Sequence, residues 1–186
     1  LYLINLLLKH KAKPNLQNEY GDTPFFLLQV ADKSFLNADY IIKHNIDLNI
    51  YNKHGLTLFN SLIQRGFHQT IDSILSNKKL CNEIEWMTTD NNNNGLITSL
   101  IQSYNETQVD NIQYYNDTIK QLIKYGCSVN HKNIEGNKPL INAVRNHKPE
   151  MVELLYKYKA DFSSVNSEKE SLGVHLNDLT IETHNE

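Results

Sequence analysis

The sequence predicts an all-α repeat fold, and three observations carry that reading. The first is a junction spanning residues 121–140 of the 186-residue chain. Leu122 and Ile123 close an apolar helical face, and Gly126 stops the helix in the left-handed conformation. Asn133, Ile134, Glu135 and Gly136 are turn chemistry, and Pro139 suits the first turn of the next helix, where its missing N–H costs nothing. The second observation is that this succession recurs: Gly21 and Gly55 stand 34 residues apart in like surroundings, a period typical of stacked arrays. The third is composition. Hydrophobic residues make up 40%, while glycine (7) and proline (4) are scarce, which suits a folded core better than a linker.

The best-formed unit opens with Asn18-Glu-Tyr-Gly-Asp-Thr-Pro-Phe25. That stretch resembles the ankyrin turn Asp-x-x-Gly-x-Thr-Pro-Leu, and the 121–140 junction resembles the passage between two ankyrin repeats. The resemblance implies an all-α ankyrin-repeat solenoid of stacked helix-turn-helix units with β-turn fingers, with a period of about 33 residues. It divides the chain into an array over 1–167, with a partial repeat 1–17 and repeats 18–51, 52–89, 90–132 and 133–165. Residues 168–186 remain as a degenerate half-repeat or acidic tail.

Each element follows in order. Residues 3–10 match a second helix without its antiparallel mate. One side of Leu6, Leu7 and Leu8 is therefore expected to be uncovered, and the chain reads as a segment of a longer one. In the first full repeat Thr23 is expected to cap the helix that Pro24 starts, and Tyr40, Ile41 and Ile42 close the second helix. The second repeat begins at Asn52, with Ile71, Ile74 and Leu75 on its second helix. Lys78 falls at the glycine position, and about five extra residues lie within 80–87, around Trp86, relative to the template. In the third repeat Asn93 falls at the turn glycine, a conformation asparagine tolerates, so the run Asn91–Asn94 is expected to form a finger. About ten further residues lie within 104–117 on the same template. Ile112, Tyr115 and Ile119 are spaced three and four apart, so 110–117 is expected to be helical and continuous with 119–125, behind a polar loop at 105–108. Tyr114 would then project beside the array as a second contact. The fourth repeat places Pro139–Val144 and Pro149–Tyr156 in its helices. A further helix at 170–179 is weakened by Gly173, by about 1 kcal/mol. The tail carries five acids (Glu168, Glu170, Asp178, Glu182, Glu186) against Lys169.

Composition and motifs exclude several functions. The formal net charge is −3, so no nucleic-acid footprint is evident. No apolar run approaches the roughly 20 residues of a spanning helix, and the apolar segment at Leu1 has no basic n-region and cleavage site, so it does not read as a signal peptide. Cys81 and Cys127 form no disulfide framework and no C-x-x-C pair, which makes an intracellular, cytoplasmic setting the expectation. The excess of asparagine reads as a nucleotide-composition preference of the source genome. The eight histidines show no helical pairing with each other or with cysteine, so no metal site is expected. No phosphate loop or nucleophile elbow is present. Cys127 reads as a small buried hydrophobe rather than a nucleophile. Asp22-Thr23-Pro24 is a helix start. No catalytic residue and no cofactor are expected.

What the ankyrin resemblance implies is binding. Partners of that family usually lie along the concave face, on fingertips and the exposed ends of first helices. Position by position, the fingertips are Glu19-Tyr20, Lys53-His54, Asn91-Asn92 and Ile134-Glu135. The helix ends are Val30-Ala31, Gln64-Arg65, Gln102-Ser103 and Arg145-Asn146. The expected partner-binding residues are Tyr20, Lys53, His54, Arg65, Ile134, Glu135 and Arg145, because aromatics and arginine dominate hot spots. The expected function is a monomeric scaffold that binds a partner protein. The alternatives are a substrate-recruiting segment of a larger ligase or transferase, and a structural spacer.

Overall fold

A computed structural model describes residues 2–28, 36–104 and 112–161. Val30, Ala31, the polar loop at 105–108, residues 110–111 and the tail at 168–186 lie outside the described residues. Among the described residues the chain is helical: α1 Tyr2–Lys9, a 3-10 turn Pro24–Leu27, α2 Ala38–Lys43, α3 Leu58–Gln64, α4 His68–Leu75, α5 Lys78–Glu83, α6 Leu96–Gln102, α7 Ile112–Lys124, α8 Pro139–Arg145 and α9 Pro149–Lys157.

Two layers result. The 3-10 turn, α3, α6 and α8 pack in succession as an inner layer. The helices α2, α4, α7 and α9 pack in succession as an outer layer, with α5 added against α4. Each helix is short and could not hold itself in water. Its apolar face is instead buried between neighbours: Leu58, Leu62 and Ile63 on α3, Ile71 and Ile74 on α4, Leu100 and Ile101 on α6, Ile119 and Leu122 on α7, and Leu140 on α8 are all closed off from solvent. These side chains join one continuous core. On α1, Leu3, Leu6 and Leu7 are exposed, while Ile4 and Leu8 pack against the core.

Local chemistry explains where helices start. Thr57 accepts the Asn60 N–H on its hydroxyl at 3.1 Å, Asn37 accepts from Tyr40 N–H at 2.9 Å, and Asn77 accepts from both Lys79 and Leu80 N–H. Thr23 departs from expectation. Its hydroxyl makes no cap bond, because the Phe26 N–H instead donates to the Thr23 carbonyl at 3.0 Å and closes a 3-10 turn. Lys78 also departs from the template. The outer helices of the neighbouring units end at left-handed residues, Asn45 at φ 51°, Gly126 at φ 95° and Lys159 at φ 60°. At Lys78 the chain makes no such stop; Asn77 caps a new helix, and the extra residues form α5.

The helical extension in the third repeat is present from Ile112 onward, and α7 runs unbroken to Lys124. Tyr115 is buried on it. Tyr114 does not project, contrary to expectation. It packs against the core, its ring edge-on to His68 at 4.3 Å and 74°. Burial pushes its hydroxyl well above the usual tyrosine range.

At three junctions an asparagine staples consecutive units. Asn15 donates its side-chain amide to the Asn45 carbonyl at 2.8 Å and accepts the Asp47 N–H at 3.0 Å. Asn49 repeats this on Glu83 (2.7 Å) and Glu85 (2.9 Å). Asn130 repeats it on Lys159 (3.3 Å) and Asp161 (2.8 Å). Each stands three residues before a finger. At the remaining junction that place is taken by Met87, which is 70% exposed. The corresponding groups are the Gly126 carbonyl and the Ser128 N–H, and a methionine cannot bridge them. A weak thiol contact from Cys127 to the Trp86 carbonyl, at 3.3 Å, stands nearby instead. Met87→Asn is therefore expected to stabilise the array by about 1–2 kcal/mol, the net worth of two hydrogen bonds. Urea unfolding measures it, and an unchanged midpoint would mean that the two backbone groups are out of reach.

Candidate binding surface

Four fingers share one construction. The first residue of each accepts two backbone N–H groups on its side-chain oxygen: Asn18 from Tyr20 and Asp22, Asn52 from His54 and Leu56, Asp90 from Asn92 and Asn94, and Asn133 from Glu135 and Asn137. These are Asx turns, in which a short polar side chain mimics the backbone. The fourth residue of each finger has a positive φ: Gly21 at 77°, Gly55 at 70°, Asn93 at 57° and Gly136 at 77°. The Asn91–Asn94 run is accordingly a structured finger, and several of the asparagines that composition ascribed to genomic bias carry its hydrogen bonds.

The fingers are tied side by side through their backbones. Lys53 N–H donates to the Tyr20 carbonyl at 2.9 Å, Asn91 N–H to the His54 carbonyl at 3.3 Å, and Ile134 N–H to the Asn92 carbonyl at 3.0 Å. Side chains add to the ladder: Asn52 donates to Asp22 at 2.8 Å and Asn133 to Asn94 at 3.1 Å. His131 meets the Asn93 carbonyl at 2.9 Å. The tip residues are thereby held in one row.

The structure places the seven expected contact residues differently from one another. Tyr20 (58%) and Ile134 (67%) are exposed apolar groups on the first and fourth fingers. Lys53 and His54 are exposed between them. Glu135 is exposed and accepts the Asn137 amide at 2.7 Å. Arg145 is half-buried in the last turn of α8. Arg65 does not offer an unengaged guanidinium, which corrects its placement among outward-facing contacts. It donates to the Phe26 carbonyl at 2.7 Å and to the Leu28 carbonyl, and lies 5.0 Å from the Phe67 ring. Burial lowers its pKa. Those two carbonyls end the 3-10 turn, where a helix leaves acceptors unsatisfied; Arg65 caps them from the next repeat. Leu27, between the two capped residues, is 65% exposed. A leucine at a helical position carries no sequence signal that would set it apart from the core.

The Cys127 thiol is buried, and desolvation pushes its pKa up to about 12, which opposes the thiolate a nucleophile requires. Among the described residues no group of three or more histidine, cysteine or acidic side chains could hold a metal ion. No helix among them is long and apolar enough to cross a membrane.

A family model described as ankyrin repeats (many copies) matches residues 122–171. No curated protein matches the chain. Ankyrin repeats are in general protein-interaction modules. The match covers the fourth unit, and the preceding fingers repeat its Asx turn, its positive-φ residue and its backbone ladder, so the chain has the all-α solenoid fold of ankyrin repeats.

Proposed function

We propose that the array is a non-catalytic scaffold that binds a partner protein along its fingertip row and concave face. The observation that carries this reading is the backbone ladder between fingers, from Tyr20 through Lys53, His54 and Asn91 to Ile134. It fixes exposed apolar and basic side chains on a rigid edge, and a preorganised surface loses little entropy on binding. Tyr20 and Ile134 supply the apolar anchors, while Lys53 supplies charge and His54 a polar ring between them. Two buried, unbridged cysteines support an intracellular setting.

The test is a triple variant, Tyr20→Ala, Lys53→Glu and Ile134→Ser. All three side chains are exposed, so the midpoint of thermal unfolding should move little. Quantitative proteomics of captures on the parent and variant chains is expected to show at least one protein retained by the parent and lost, by about tenfold or more, by the variant, as removal of hot-spot residues predicts. Identical capture by both chains would overturn the assignment of this edge.

A further inference from the structure

We propose that Asn94 is a deamidation site that the folded array protects and that opening of the third finger exposes. Asn94 precedes Gly95, and glycine carries no Cβ to hinder its own amide nitrogen. In the reaction the Gly95 nitrogen attacks Cγ of Asn94. The Cγ–Nδ2 bond breaks, and ammonia leaves with the proton given up by Gly95. Water then opens the resulting succinimide at either carbonyl, leaving aspartate or isoaspartate.

The folded finger opposes each step. Asn94 is 5% exposed. Its amide donates to Asp90 Oδ2 at 3.1 Å, its side-chain oxygen accepts from Asn133 at 3.1 Å, and its backbone N–H donates to Asp90 Oδ1 at 2.8 Å. Cγ cannot swing onto the Gly95 nitrogen without releasing these contacts, and the water of the second step is excluded. Modification therefore proceeds from the locally opened state.

The product cannot return to the same packing. Aspartate at 94 places two carboxylates where an amide met an acid at 3.1 Å. The first finger shows the arrangement that tolerates an acid at this position: Asn18 opens that finger, and Asp22 accepts the Asn52 amide at 2.8 Å. The third finger has Asp90 in the place of Asn18, so deamidation produces a like-charge pair. Opening of this finger is thus converted into a permanent weakening of the third finger itself.

Peptide mass spectrometry on the whole chain, incubated at mildly alkaline pH with and without urea, tests the proposal. Replacement of NH by O at Asn94, as mixed aspartate and isoaspartate, is expected to be at least about tenfold faster in urea, as exchange through local opening requires. In urea Asn94 should outpace Asn91, Asn92 and Asn93. Gly95→Ala should slow the reaction in urea; its φ is an ordinary −76°, and in the folded chain the new Cβ meets the His131 ring at 3.3 Å, which the ring must relieve by a shift of a few tenths of an ångström. Equal rates in folded and unfolded chains, or equal rates at all four asparagines in urea, would overturn the proposal. Asn94→Asp should lower the urea midpoint, and adding Asp90→Asn should restore it by recreating the first finger's pairing. An Asn94→Asp chain with an unshifted midpoint would overturn the proposed consequence.

Discussion

Trp86→Ala is expected to cost the array about 3 kcal/mol, at the lower end for a large aromatic deleted from a packed site. Trp86 lies in the residues added to the second unit, yet it is a junction post. Its ring stacks on Tyr125 at 4.3 Å and 6° and meets Phe59 edge-on at 5.5 Å and 83°. Its Nε1–H donates to the Cys81 carbonyl at 3.0 Å. Phe59 belongs to the second repeat and Tyr125 to the third, so the indole joins units that lack the asparagine staple. A cavity of about 30 Å³ already lies beside it, lined by Trp86, Thr88, Cys127 and His131 among others. Alanine would enlarge that space rather than let it collapse. Solenoid stability is a sum over nearest-neighbour interfaces. A weakened second-to-third interface should therefore broaden or split the urea transition followed by circular dichroism. Trp86→Phe, which keeps the stacking and loses one hydrogen bond, should cost only about 1 kcal/mol. A single sharp transition at the parental midpoint in Trp86→Ala would show that the ring is peripheral.

The fold was legible because it rests on local rules. Glycine or asparagine at a positive-φ turn position, a Thr or Pro ahead of an apolar run, and apolar residues at helical spacing each act within a few residues of the chain. Asn93 was legible for this reason, and so was the continuity of α7 from Ile112. Two features were not legible, and each turns on a partner distant in sequence or on competition for one group. Thr23 and Thr57 carry the same local signature. Only the latter caps, because the Phe26 N–H prefers the Thr23 carbonyl. Tyr114 reads as outward on a helix with one apolar stripe, but α7 packs against α4, α6 and α9 together. A helix with three neighbours buries more than one face, and Tyr114 falls against His68.

The candidate surface was legible at its tips and obscure behind them. Tyr20, His54 and Ile134 stand at positions that an Asx turn forces outward. Arg65 looks equally exposed from its helix-end position. Its acceptors, the Phe26 and Leu28 carbonyls, lie 39 and 37 residues earlier. They lie at the end of the 3-10 turn Pro24–Leu27, in the preceding repeat. The asparagine excess is a similar case. Composition could not reveal that Asn15, Asn49 and Asn130 hold equivalent places, since each acts across a junction on the next unit.

Gly136→Val is expected to cost about 2–3 kcal/mol and Asn93→Gly no more than about 1, although both alter the same position of a finger. Gly136 sits at φ 77°. A side chain there meets the following carbonyl, and branching at Cβ makes valine among the least tolerant of residues. Relaxing φ would break more than the turn itself. The Gly136 N–H donates to the Asn133 carbonyl at 3.0 Å, and the Asn133 side chain holds the Glu135 and Asn137 N–H groups on either side. The Ile134 link to the third finger depends on the same backbone. At Asn93, φ is 57°, and glycine adopts that value without a Cβ penalty. Two losses offset the relief. Glycine loses more backbone freedom on folding, and the Asn93 amide would no longer donate to the Lys132 carbonyl at 2.8 Å. That bond crosses to the fourth finger, so the small cost should appear at the same interface as the larger one. Urea denaturation of the two variants gives the order directly. A greater loss in Asn93→Gly would mean that the side-chain bridge, rather than the left-handed backbone, holds these fingers together.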